Sequence, residues 1–336
     1  MKAWLLRGVA RAALAEPIVR LLARRRQRDT DVGLDRQVAG VLELQRLMRL
    51  PPLESMAPPD ARSFAADGLG PLDMLPVPMA QIVDLEVRGA AGGIPARIYV
   101  PPDAGPHWII YFHGGGGVIG SIASSDPIAR HLAAETACTV ASVGYRLGPE
   151  DRHPAAIDDA IAAYAALAAR VRAGGKLVVA GDSFGGYLAA HVDRAAVRKP
   201  DLQVLIYPIV DMTLTSPSID RHADGYLLTR SMMHWFRGHY LNPEDDRRAI
   251  SPTYWSDLAG AARAIVVTAG YDPLVDEGDA YAAALRAAGV PVRHRRYPAL
   301  IHGFISLAGA VRSARTAIDE VCSDIRELLA ASPEAR

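Results

Sequence analysis

The sequence predicts an α/β fold: a mostly parallel central sheet with helices on both faces. Three observations carry this. From residue 82 onward, short apolar runs of strand length alternate with helical patterns, the rhythm of repeated βα units. Runs such as "WIIYF" (108–112) are apolar throughout, as expected of strands covered on both sides. The chain has 336 residues, half of them apolar, which suits one large α/β domain with an embellishment, or two smaller domains.

Residues 1–50 are helical in period, with "VAGVLELQRLMRL" (38–50) the clearest amphipathic segment. Arg7 and Arg11 interrupt the first apolar stretch, so it is too short for a secretory leader. It reads as amphipathic helix ending in a basic cluster, Arg24-Arg25-Arg26 with Arg28. Such a helix either packs on the domain by its apolar face or lies on an anionic membrane surface. Residues 51–80 are rich in proline and read as an extended crossing segment.

Strands at 82–89 and 95–101 form a hairpin through the glycines of "AAGG". After the strand at 108–112 come a helix at 126–137, a strand at 138–145 and a helix at 154–171 with Pro154 in its first turn. A strand at 177–181 runs into a helix from 184, followed by a strand at 203–208. Strand 263–270, helix 278–289, strand 292–298 and a final helix from about 306 to 330 complete the pattern. Residues 209–250, with a helical core at 229–241, are longer than a connection requires. Insertions at the carboxyl ends of strands often form lids or binding surfaces.

The formal net charge is zero, so nothing global points to nucleic acid. Two cysteines, Cys138 and Cys322, make no disulfide framework and read as buried thiols. No apolar run reaches the ~18–20 residues of a membrane span.

The chemistry lies at the corners. Gly181-Asp182-Ser183-Phe184-Gly185 fits G-x-S-x-G, with a strand before it and a helix after it. A serine on such a turn projects its hydroxyl from the top of the sheet. Serine alone is a poor nucleophile; it needs a base, an orienting acid and donors for the oxyanion. "YFHGGGGVIGS" (111–121) supplies exposed backbone N–H groups after the strand at 108–112, and the N–H of Phe184 completes the donor set. His113 is expected to hold that loop by hydrogen bonds. No Lys-Ser/Thr follows the glycines, which excludes a P-loop.

After the strand at 263–270 stand Asp272, Asp276 and Glu277. Asp272 is nearest the strand end, whereas Asp276 and Glu277 suit the first turn of the next helix. Of the ten histidines, His302 alone follows the acid on a loop at a strand end; His294 also follows but lies within a strand pattern.

At this point the chain resembles the hormone-sensitive-lipase-like α/β hydrolases, also called bacterial lipase family IV. The likeness rests on His113-Gly114-Gly115-Gly116, "YRLGPE" (145–150), "GDSFGG" (181–186), "DPLVDEG" (272–278) and "IHGF" (301–304), and covers nearly the whole chain. The resemblance implies an α/β-hydrolase fold with a helical cap. The cap would comprise the N-terminal helices (1–50) and the 209–250 insertion, on a catalytic domain of 51–208 and 251–336. It implies Ser183 as nucleophile, Asp272 as acid and His302 as base, with oxyanion donors from Gly115, Gly116 and Phe184 and loop support from His113 and Gly114. Gly117, Phe184, Tyr226 and Leu227 would border the substrate pocket. The reaction implied is hydrolysis of short- to medium-chain carboxylic esters, without metal or organic cofactor. The expected setting is intracellular (cytoplasmic), with a homodimer as in relatives. An amidase, lactonase or peptidase on the same fold is the alternative, and a ligand receptor would be expected to have lost a triad member.

Three positions depart from the family pattern. Phe184 stands where the family has alanine, Gly117 where an aromatic often follows the glycines, and Gly144 where "DYRLAPE" begins with an acid. We expect the Phe184 ring to fill space vacated at Gly117, reshaping the pocket.

Overall fold

The computed structural model describes residues 16–26 and 31–331. The chain begins with α1 (Glu16–Arg25) and α2 (Arg36–Met48), which pack on each other. Asp35 caps α2, its carboxylate accepting from the N–H groups of Gln37 and Val38 at 2.7 and 3.1 Å. Val19 and Leu22 of α1 are buried, whereas Ile18 and Leu21 face outward. The proposed lipid contact of residues 1–28 falls largely on residues outside the described ones, as does Arg28 of the basic cluster.

The extended segment expected at 51–80 is corrected by α3 (Pro58–Leu69). Pro58 and Pro59 occupy its first two positions, where a missing N–H costs nothing and the fixed φ favours helix. What reads as a breaker is therefore a helix start.

The hairpin of β1 (Gln81–Arg88) and β2 (Gly93–Val100) is present and antiparallel. There follow β3 (Trp108–Phe112), α4 (Asp126–Thr136), β4 (Thr139–Val143), α5 (Ala155–Ala168), β5 (Leu177–Asp182), α6 (Phe184–Ala195) and β6 (Leu202–Ile206). The insertion holds α7 (Pro217–Arg221) and α8 (Arg230–Tyr240). Then come β7 (Ala264–Tyr271), α9 (Val275–Ala287), β8 (Val292–Ile301) and α10 (Arg312–Ala330). A short 3-10 turn, Phe304–Leu307, takes up the start of the stretch expected as final helix.

The eight strands form one sheet in the order β1-β2-β4-β3-β5-β6-β7-β8. β2 pairs antiparallel with β4, and all neighbours from β4 to β8 are parallel. Alternate residues of the central strands feed two cores. Ile109 and Tyr111 enter the core beneath α4 and α10. Ile110 and Phe112 enter the core beneath α5, α6 and α9. Parallel strands share a carboxyl edge, so the loops after β3, β5, β7 and β8 converge along it. Cys138 and Cys322 are both buried and unpaired. No helix among the described residues is long and apolar enough to cross a membrane.

Candidate active site

Ser183 sits between β5 and α6 with φ 53° and ψ −115°, a conformation that non-glycine residues rarely adopt. Its N–H donates to the Ile206 carbonyl at 2.8 Å, and its own carbonyl accepts from Gly186 and Tyr187 at 3.0 and 3.2 Å. Those bonds hold the strained residue. Gly185 shows why the motif needs glycine: a Cβ there would lie 1.9 Å from the Phe112 carbonyl oxygen.

The sequence-predicted partners meet at this corner. His302 Nε2 lies 3.0 Å from Ser183 Oγ, and His302 Nδ1 lies 2.8 Å from Asp272 Oδ2. The other Asp272 oxygen accepts from the Leu274 N–H at 2.8 Å. Asp272 is almost fully buried and His302 is 8 % exposed, so both sit in a low-dielectric pocket with Ser183 at its open side. Tyr207 packs its ring against the imidazole, centroids 4.7 Å apart.

The other acids do different work. Asp276 and Glu277 lie in the first turn of α9, and Asp276 pairs with Arg221 at 2.6 Å. Buried Glu277 accepts the N–H groups of Val210 and Asp211 at 2.8 and 3.0 Å, tying the loop after β6 to α9. Burial raises its carboxyl pKa well above the usual range. His294 stays on β8, with Nε2 3.0 Å from Thr268 Oγ1.

The glycine loop after β3 is held from below. Asp182 Oδ1 accepts the Gly114 N–H at 2.8 Å and the Tyr111 hydroxyl at 2.6 Å. The Tyr145 hydroxyl donates to the His113 carbonyl at 2.7 Å, and the two rings stack 4.4 Å apart. His113 Nδ1 lies 2.8 Å from the Gly114 carbonyl. Burial depresses the His113 pKa to about 4, so the ring is neutral at pH 7 and its Nδ1–H can donate to that carbonyl. With the Gly114 N–H occupied, those of Gly115, Gly116 and Phe184 have no acceptor among the described residues. Sequence reasoning missed Asp182 as a loop anchor. The signal was there: Asp182 is the variable residue of the serine motif and the last residue of the strand that runs beside β3.

A cavity of about 560 Å³ opens over Ser183. Part of its apolar wall comes from Met212, Leu227, Leu228, Met233 and Phe236, all of the insertion. Residues of α3, among them Arg62, line it as well. Of the four pocket residues expected, Phe184 and Leu227 line the cavity. Tyr226 does not; it is buried between His222 and Tyr271, its hydroxyl donating to Asp31 at 2.9 Å. Gly117 is also outside the lining. A Cβ there would meet Phe184 Cζ at 2.8 Å and Tyr240 Cδ2 at 2.9 Å, so the Phe184 ring abuts Gly117 beneath α8.

The family model described as an alpha/beta hydrolase fold matches residues 109–306. Carboxylic ester hydrolase LipN of Mycobacterium tuberculosis (strain ATCC 25618 / H37Rv) is 37% identical over 266 residues, covering 73% of this chain and 70% of its own. An ethyl acetate hydrolase of Pseudomonas putida is 38% identical over 236 residues, covering 66% and 74%. Among solved structures, an alpha/beta hydrolase enzyme from the metagenome of Lake Arreo, Spain, superposes with a TM-score of 0.85 at 34% identity, covering 89% of this chain and all of that one.

Proposed function

Given that the chain belongs to the hormone-sensitive-lipase-like (family IV) esterases of the α/β-hydrolase fold and is a carboxylic ester hydrolase, we propose that it works as a serine carboxylesterase through Ser183, His302 and Asp272. The observation that carries this is the hydrogen-bonded chain Ser183–His302–Asp272, with links of 3.0 and 2.8 Å.

Ser183 Oγ attacks the ester carbonyl while His302 Nε2 takes its proton. Asp272 holds the imidazole by Nδ1 and stabilises its cationic form. Negative charge develops on the carbonyl oxygen, where the N–H groups of Gly115, Gly116 and Phe184 receive it. One such donor contributes about 3–4 kcal/mol in comparable sites. His302 then protonates the leaving alcohol, and an acyl group remains on Ser183. Water, deprotonated by the same histidine, attacks the acyl-enzyme and releases the acid. Loop support falls to Asp182, His113 and Tyr145, which keep the glycine N–H groups aimed at the site.

We read residues 209–250 together with the N-terminal helices as the cap, on a catalytic domain of 51–208 and 251–336. Three contacts support it: Phe236 of α8 covers Gly116, Tyr240 covers Gly117, and Arg26 donates to the Gly225 carbonyl at 2.6 Å. The cavity volume lies within the roughly 300–1,000 Å³ of small-molecule sites, in keeping with short- to medium-chain esters.

The test is hydrolysis of p-nitrophenyl esters from acetate to palmitate by wild type and Ser183→Ala. Turnover should peak at short to medium chains, and Ser183→Ala should lower kcat by about 10⁴-fold or more. A folded Ser183→Ala protein with wild-type turnover would refute the assignment.

A further inference from the structure

The cavity wall contains a cation that the hydrolytic machinery does not use. Arg237 lies on α8, one turn beyond Met233 and next to Phe236, and reaches the same cavity. Its Nη1 donates to the carbonyls of Met212 and Thr213 at 3.3 and 2.9 Å. Its Nη2 lies 3.1 Å from His234 Nδ1. A guanidinium has five N–H donors. Three are engaged, which leaves Nε–H and one Nη2–H, a pair of donors of the kind that meets a carboxylate.

Among the described residues Arg237 makes no ion pair, whereas Arg62, the other arginine on the cavity wall, is paired with Glu150 at 2.6 Å. Asp211, whose charge favours the cation, makes no ion pair with it and spends its Oδ1 on the Thr213 N–H and hydroxyl, which donate to it at 2.8 and 2.5 Å. Burial and the nearby Arg247 press on the Arg237 charge more strongly than Asp211 relieves it. The result is a partly desolvated cation at the edge of an apolar limb formed by Leu228, Met233 and Leu274. Desolvated cations gain most from a charged partner that completes their hydrogen bonds.

We propose that Arg237 is a specificity-determining residue that receives a carboxylate on the substrate, so that the preferred esters carry an acid group at the end remote from the scissile bond. This rests on the esterase reading above and names its substrate class. A purely structural role also exists, because Arg237 fastens α8 to the loop at 212–213, and the test separates the two.

The experiment measures kcat/KM at pH 7 in a pH-stat for two matched pairs. Monomethyl adipate against methyl hexanoate places the carboxylate on the acyl side. The 6-acetoxyhexanoate anion against hexyl acetate places it on the alcohol side. The proposal expects one pair to show a preference for the anion that weakens as salt rises from low to high ionic strength, a readout that needs no variant. Arg237→Gln should then lower the anion-to-neutral ratio by about ten- to a hundredfold, the range of a charged hydrogen bond. Arg237→Lys, which keeps the charge without the fork, should fall between. Wild type favouring the neutral ester in both pairs overturns the proposal, as does an equal loss on both members of a pair in Arg237→Gln. If no ester is turned over at all, the esterase reading fails and the proposal with it.

Discussion

Replacing Phe184 by alanine tests the compensation between Phe184 and Gly117, two of the three positions that depart from the family pattern. The ring is 1 % exposed. It makes an edge contact with Tyr240 at 4.7 Å between centroids and tilted contacts with Tyr187 at 5.3 Å and Tyr145 at 5.9 Å. Its tip abuts Gly117, where no side chain can follow a retreating ring. The site therefore cannot collapse, and the cost should lie in the ~3–5 kcal/mol range of buried Phe→Ala changes. At about 2.1 cal/mol/K per residue, 336 residues give an unfolding entropy near 0.7 kcal/mol/K, so Tm should fall by roughly 4–7 °C. Phe184 also lines the cavity, so the lost ring becomes room for substrate. Each extra methylene accommodated is worth about 0.8 kcal/mol, or roughly fourfold in kcat/KM. The p-nitrophenyl ester series, run beside a thermal melt, should show the peak moving to longer chains. A melt within about 1 °C of wild type together with an unchanged chain-length peak would refute the idea that this ring shapes the pocket from beneath Gly117.

Asp182→Ala removes the one oxygen, Oδ1, that accepts both the Gly114 N–H and the Tyr111 hydroxyl, so the glycine loop should shift. We expect kcat on p-nitrophenyl butyrate to fall about 10- to 100-fold with KM little altered, while equal kcat would show that the carboxylate does not position the loop. Burial lowers the His191 pKa from 6.5 to about 3, so the folded protein holds this ring neutral. Such a group contributes stability above the unfolded pKa that is lost as pH falls toward the folded one. Relative to His191→Gln, the wild type should therefore lose about 2 kcal/mol between pH 7.5 and 5, read from urea midpoints, and a pH-independent difference would contradict it. Burial raises the pKa of both Cys138 and Cys322, so neither should react with a thiol reagent until the protein unfolds, and fast labelling of the native protein would place a thiol at the surface.

The strand–helix rhythm was legible because the central strands are apolar on both faces and each is followed by a helix with its own punctuation. The triad was legible for a related reason. Ser183, Asp272 and His302 stand at the ends of strands that a parallel sheet must bring to one edge, whatever their order in it. That order was not legible, since nothing local in β2 announces that it pairs with β4. Pro58 and Pro59 hid a helix because the residue that stops a helix inside is also one that starts it. Asp182 was overlooked because its role depends on the register that sets Tyr111 opposite Ala180, two residues before it. Tyr226 and Leu227 point to opposite surroundings, a core and a cavity, and a loop without a period offers no way to tell which faces which. Arg237 carried no pattern at all; its position in the cavity emerges only once α8 is seated over the glycine loop.

The central claim is that Ser183 forms a covalent acyl intermediate. The most direct test is reaction with a p-nitrophenyl alkylphosphonate, whose phosphorus is attacked as the ester carbonyl would be, followed by intact-mass and peptide mass spectrometry. The account predicts one adduct per chain, on the peptide bearing Ser183, forming at the rate at which esterase activity is lost, and no adduct in Ser183→Ala. An adduct on another serine, or full activity in protein stoichiometrically labelled at Ser183, would contradict it.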